Sequence, residues 1–104
     1  MISLLDPVAH GSHTVVEVSG EVDASSAASL RDSMLALVNR GVDSLVIDLR
    51  GVTFIDSAGV RLVLEAMRAL PAFAVVPGGH EVSRVFRLVG LDERIRTVDR
   101  PPDE

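Results

Sequence analysis

The chain has 104 residues, room for one domain and one core but not for two. A formal charge of −5, with arginine as its sole basic residue type, and only 3% aromatic residues argue against binding a nucleic-acid backbone or stacking on bases. With no cysteine, disulfides, thiolate catalysis and cysteine-held metals are excluded.

In chain order, MISLLDPVAHGSH has neither a basic n-region nor a long apolar segment, so it does not read as a secretory signal. No apolar run approaches the ~20 residues of a bilayer span. The expected setting is therefore cytoplasmic, with no direct membrane insertion. Residues 2–5 form a short apolar strand stopped by Asp6-Pro7, and His10-Gly11-Ser12-His13 is a turn. Its two histidines lack a third ligand type nearby, so the reading is a solvated loop and not a metal site. Residues 14–19, with Val15, Val16 and Val18, give a second strand hairpinned to the first. Gly20-Glu21-Val22-Asp23 follows, and Asp23, Ser25 and Ser26 make an N-cap cluster for a helix reaching about Arg40. Its inner face is Ala27, Leu30, Met34, Leu37 and Val38, and Gly41 is its stop. From spacing alone Glu21 and Asp23 are cap and solvated loop.

Residues 45–49, apolar except for Asp48, suit a strand covered on both faces. Arg50-Gly51-Val52-Thr53 reads as a connector, and Phe54-Ile55 leads into Asp56-Ser57-Ala58-Gly59, where an N-cap belongs. The following helix, 58–70, sets Val60, Val63, Leu64 and Met67 on one face and Arg61, Glu65 and Arg68 on the other. Pro71 cannot continue it. Residues 73–76 form a short strand; Pro77-Gly78-Gly79-His80 opens a helix with Val82, Val85, Phe86 and Val89 inward, closed by Gly90. Residues 95–98 are a last strand and 99–104 a frayed tail. The order β-β-α-β-α-β-α-β predicts a single α/β domain over 1–104: a mostly parallel mixed sheet with an antiparallel N-terminal strand, flanked by about three to four helices.

No motif for catalysis survives inspection. A nucleophile elbow at Ser57 has Gly59 in place but Ile55 where its first glycine belongs, and no histidine lies in a triad context. His80-Glu81 begins like a zinc-binding HExxH helix, but Arg84 occupies the second histidine position. Pro77-Gly78-Gly79 lacks the lysine of a phosphate-cradling loop. The chain is therefore not expected to be an enzyme, and no cofactor or metal is implied. Ser57 remains as helix cap or as modification site, and the two are compatible. A phosphate there adds about −1.5 to −2 charge beside Asp56. The helix dipole tolerates that charge; a partner surface burying the turn would not.

VEVSGEVDASSAASLRDSMLALV, then LVIDLRGVTFIDSAGVRLVLEAM and VSRVFRLVGLDERI, resemble STAS domains, and among them the bacterial anti-sigma-factor antagonists. The resemblance spans about residues 2–98. The strand–G-E-[LV]-D–helix and strand–x-F-x-D-S-x-G–helix signatures stand in the family's order. It implies partner switching: the unmodified antagonist binds an anti-sigma factor that is also a GHKL-type serine kinase, freeing a sigma factor. ATP-dependent phosphorylation of the serine after Asp in D-S-x-G, here Ser57, ends the binding, and a PP2C-type phosphatase reverses it. By position, Asp56 and Gly59 shape the acceptor turn, while Gly20, Glu21 and Asp23 line the adjacent partner surface; Ala58 and Arg61 complete the expected partner-binding set. Nothing demands more than a monomer. Two features depart from the pattern. The 69–72 connection is short and carries Pro71, and Ala58 stands where many antagonists have Ser or Thr. Ala at that place also occurs in STAS subunits of lipid-transport ABC complexes. The alternative expectation is a non-enzymatic scaffold subunit of such a complex or of a stress-signalling assembly, where the serine would stay unmodified.

Overall fold

Extended structure reaches further along the chain than the apolar runs suggest. The computed structural model describes residues 2–4, 8–10 and 13–102. Its elements are β1 (Ile2–Leu4), β2 (Val8–His10), β3 (His13–Val22), α1 (Ala24–Asn39), β4 (Ser44–Ile55), α2 (Ser57–Ala69), β5 (Ala72–Val76), α3 (His80–Leu88), a 3-10 turn at Leu91–Glu93, and β6 (Arg96–Thr97). The expected stop at Asp6-Pro7, Gly11-Ser12 of the first turn, and Asp103-Glu104 at the end of the tail lie outside the described residues.

Strands β3, β4, β5 and β6 lie side by side in chain order and are all parallel. One part of the expectation is corrected here: the body of the sheet contains no antiparallel strand. Antiparallel pairing is confined to β1 and β2, two three-residue segments on the outer edge of β3. The cause is the connections, since each strand of the body is reached through a helix, and a helical crossover returns the chain parallel. The helix number falls at the low end of the expectation, with three α-helices among the described residues.

Right-handed crossovers that always step the same way put every helix on the same side of the sheet. Accordingly one buried cluster joins Leu30, Met34 and Leu37 of α1, Leu62 and Ala66 of α2, and Val82 and Phe86 of α3 to Val18, Ile47 and Val75 of the strands. Burying such side chains stabilises by roughly 1.5–3 kcal/mol each before the entropy cost. The opposite face carries only a small cluster of Val15, Val46, Ala74 and Val76, with Val98 packed on it. Asp48, 4% exposed, also lies among the strands, held by Arg50 Nη2 at 2.8 Å and by the Arg50 amide at 3.0 Å.

The expected connector at 50–53 is strand. Irregularities in the β3–β4 register, between Glu17 and Ser19 and between Gly20 and Glu21, let pairing resume as Ser19↔Gly51 and run on to Val22↔Ile55. At each irregularity β4 carries one residue more than β3, and Gly20, beside the second, takes a positive φ of 94°, which glycine adopts without strain. The α2 face also differs from the expected one by one residue: Gly59, Leu62, Val63 and Ala66 point inward, while Val60, Leu64 and Met67 are only partly buried. Val89, expected inward on α3, is 51% exposed at its C-cap. In the expected tail, Pro101 is buried.

Candidate functional site

β3 and β4 end together, and a helix springs from each end after a single aspartate. Asp23 and Asp56 have almost the same backbone, φ/ψ of −117°/−170° and −110°/−169°, the extended geometry of an N-cap. The Asp56 amide donates to the Val22 carbonyl at 3.2 Å, so the two corners are directly joined.

At the first corner, the Asp23 carboxylate accepts from the Ser26 amide at 3.0 Å and from the Ser25 hydroxyl at 3.0 Å. The Ser26 hydroxyl in turn accepts from the Asp23 amide at 2.8 Å, closing a capping box. Its single proton lies within reach of the Glu21 carbonyl (2.9 Å) and of the Asp23 carboxylate (3.0 Å). The Ser26 amide, followed by the two serine hydroxyls, lowers the Asp23 pKa to about 2.

At the second corner, Asp56 accepts from the Ala58 amide at 2.9 Å and the Gly59 amide at 3.3 Å. The cap is therefore Asp56, and the expectation of Ser57 as cap is corrected: Ser57 is the first helical residue. Its side chain is exposed and makes no hydrogen bond among the described residues. Gly59 occupies the place that Ser26 holds in α1. A Cβ on it would sit 2.5 Å from Ile55 Cγ1 and 3.0 Å from Val22 Cγ1, so no side chain fits, and α2 rests directly on the strand ends.

The residues expected to form the partner surface are thus brought to one pole, but not all are surface. Glu21, Ser57 and Arg61 are exposed, Gly20, Asp23, Asp56 and Ala58 are half-buried, and Gly59 is buried and acts only as a seat. Phe54, 44% exposed and paired in register with Glu21, belongs to the same pole and was not among the expected site residues. A large apolar side chain ahead of Asp-Ser-Ala-Gly was the available signal, but it reads as buried strand if the chain is taken to leave the sheet at Arg50. His13, by contrast, starts β3 at the other pole, its Nδ1 2.5 Å from Ser44 Oγ, and His80 opens α3. Among the described residues, no group of three His, Cys, Asp or Glu side chains is arranged to hold a metal ion. No helix among the described residues is long and apolar enough to cross a membrane.

An exposed hydroxyl at the start of a 13-residue helix, beside a carboxylate, can accept a phosphoryl group. Two amides of that first turn are already taken by Asp56, so they are not free to absorb the new charge as the bare turn suggested.

The family model described as "Mlab, STAS domain" matches residues 6–98. The anti-sigma-F factor antagonist RsfB of Mycobacterium tuberculosis is 32% identical over 90 residues, 84% of this chain and 74% of that protein. An anti-sigma F factor antagonist of Lysinibacillus sphaericus is 33% identical over 82 residues, 74% of this chain and 70% of that one. The crystal structure of an anti-sigma factor antagonist from Mycobacterium paratuberculosis superposes with a TM-score of 0.90 at 32% identity, covering 99% of this chain and 90% of that chain.

Proposed function

Because the chain belongs to the STAS domain family, we propose that it is an anti-sigma-factor antagonist, switched off by phosphorylation of Ser57. The observation that carries the switch is the Ser57 side chain itself: exposed, first in its helix and without a hydrogen-bond partner among the described residues. In this reading the partner is a GHKL-type anti-sigma kinase that covers the pole of Glu21, Phe54, Ser57 and Arg61. A phosphate on Ser57 would meet the Asp56 carboxylate and find the Ala58 and Gly59 amides occupied. Its charge would therefore project toward the partner. Burying a dianion without paired donors costs at least several kcal/mol, and about 1.4 kcal/mol is already tenfold in affinity. A PP2C-type phosphatase would restore binding, and the protein would act as a cytoplasmic monomer.

The test is binding to a GHKL-type anti-sigma kinase from the same host, by calorimetry. Ser57→Ala should bind at wild-type affinity or better and resist inactivation by ATP, whereas Ser57→Asp should bind at least tenfold more weakly while staying folded. Equal affinity for Ser57→Asp and wild type would sink charge exclusion as the mechanism.

A second reading rests on Ala58, a residue type that the resemblance also associates with STAS scaffold subunits of lipid-transport ABC complexes. There the same pole would dock permanently on an ATPase and Ser57 would stay unmodified. An intact-mass spectrum of protein from its own host, with and without phosphatase treatment, separates the two: a phosphoryl-sized shift localised to Ser57 favours the switch.

A further inference from the structure

At the pole opposite Ser57, where β3, β4 and β5 begin, lies a cavity of about 290 Å³ that the proposed switch does not use. Its apolar walls include Val46, Ala74 and Val98, and its polar lining is His13, Ser44, Arg96 and Arg100. The two arginines reach it for a structural reason. The Val98 amide bonds to the Val75 carbonyl at 3.0 Å, which holds the end of β6 along β5 before the chain bends at residues 99–100. Arg96 pairs in register with Ala74 and lies two residues from Val98, both on the helix-free face, and the bend at 99–100 leaves Arg100 lining the same cavity. Both arginines are exposed and make no ion pair among the described residues. In a chain with 15 acidic side chains against ten basic ones, two unpaired guanidiniums at one cavity mark a local cationic site. His13 is already oriented toward Ser44, 2.5 Å away, so the polar rim is ordered from β3 and β4 as well.

We infer that this cavity binds a small organic anion: one carboxylate or phosphate head held by Arg96 and Arg100, on a compact apolar body seated against Val46, Ala74 and Val98. Guanidinium forks match the two-oxygen edge of either head. At about 30 Å³ per water, the volume corresponds to roughly ten non-hydrogen atoms. That suits a monocyclic or short-chain acid. The cationic rim excludes a metal ion.

The test is an amide-resolved NMR titration of the full chain with phenyl phosphate, benzoate, inorganic phosphate and neutral benzyl alcohol. Phenyl phosphate or benzoate should give saturable shifts confined to residues 13, 44–46, 72–74 and 96–100. Whichever binds more tightly identifies the head. Inorganic phosphate and benzyl alcohol, each lacking half of the match, should bind at least about tenfold more weakly. Arg96→Gln/Arg100→Gln, both at exposed positions, should keep the spectrum elsewhere and weaken binding about tenfold or more, since charge-assisted hydrogen bonds are lost. Ser57→Ala should titrate like wild type, so this outcome is independent of the switch. Shifts that spread over the surface without saturating, or an unchanged affinity in the double arginine variant, would overturn the proposal.

Discussion

The two helix starts at the end of β3 and β4 are built on the same plan and completed in opposite ways. Each follows a strand end and an extended aspartate cap, and each cap accepts from the amide of the third helical residue. In α1 that third residue is Ser26, whose hydroxyl closes the box and, with Ser25, surrounds the Asp23 carboxylate. In α2 it is Gly59, which has no hydroxyl to offer because the helix sits directly on Ile55 and Val22. One corner therefore uses its serines on itself, and the other leaves Ser57 unengaged. The contrast shows how a fold separates a structural serine from one available for chemistry: what matters is whether the cap consumes it.

The contrast breaks most severely at Gly59. Gly59→Val would drive a branched side chain into Ile55 and Val22, where even a Cβ lies too close. Overpacking of this kind should cost about 3 kcal/mol. In a domain this size 1 kcal/mol shifts the melting midpoint by about 4–8 °C, so differential scanning calorimetry will resolve it. A Gly59→Val protein as stable as wild type would mean that α2 is not seated on the strand ends.

Next in size is the closed corner. Ser26→Ala leaves the Asp23 amide and the Glu21 carbonyl without the hydroxyl that links them, and should cost about 1–2 kcal/mol in urea unfolding. The same corner has an acid signature. Asp23 is held at about 2 when folded, below the ordinary value near 4, so its carboxylate favours the fold fully above that ordinary value. The contribution fades as pH falls from about 4 toward 2. Asp23→Asn, still a good cap, should flatten the stability curve over that window; an unchanged slope there would show that Asp23 is not the group responsible.

Most of this frame was legible from periodicity. Ala27, Leu30, Met34 and Leu37 line the inner face of α1 as their spacing requires, and Asp23 caps it. What periodicity could not supply was anything set by two backbones meeting. Gly51 looks like the start of a connector, and only the bulged pairing with β3, resuming at Ser19↔Gly51, shows that β4 continues to Ile55. α2 is apolar over so wide an arc that several faces fit its sequence. The close seat of Gly59 selects the one centred on Leu62, Val63 and Ala66. The cap of α2 was uncertain for a local reason, since Asp56 and Ser57 are both good caps and sit side by side. The exposed Phe54 was obscured by the same early end given to the strand. The pole holding Ser57 was thus legible as a motif, and its internal division of labour was not.

The smallest effect on stability is expected where the functional effect is greatest. Ser57→Ala removes an exposed hydroxyl that no described residue engages, and alanine is a good helix former at any position. Surface changes of this sort usually stay within about 0.5 kcal/mol, so its urea midpoint should match wild type. Measured beside Ser26→Ala, it tests the contrast directly, since both replace a serine in the first turn of a neighbouring helix. If Ser57→Ala were as costly as Ser26→Ala, the Ser57 hydroxyl would have to be part of the cap. It would then be withheld from a kinase, and the second corner would be closed like the first. If only Ser26→Ala is destabilising, Ser57 is held in place by its helix and by nothing else. A modification there can then change what the pole binds without changing whether the domain folds.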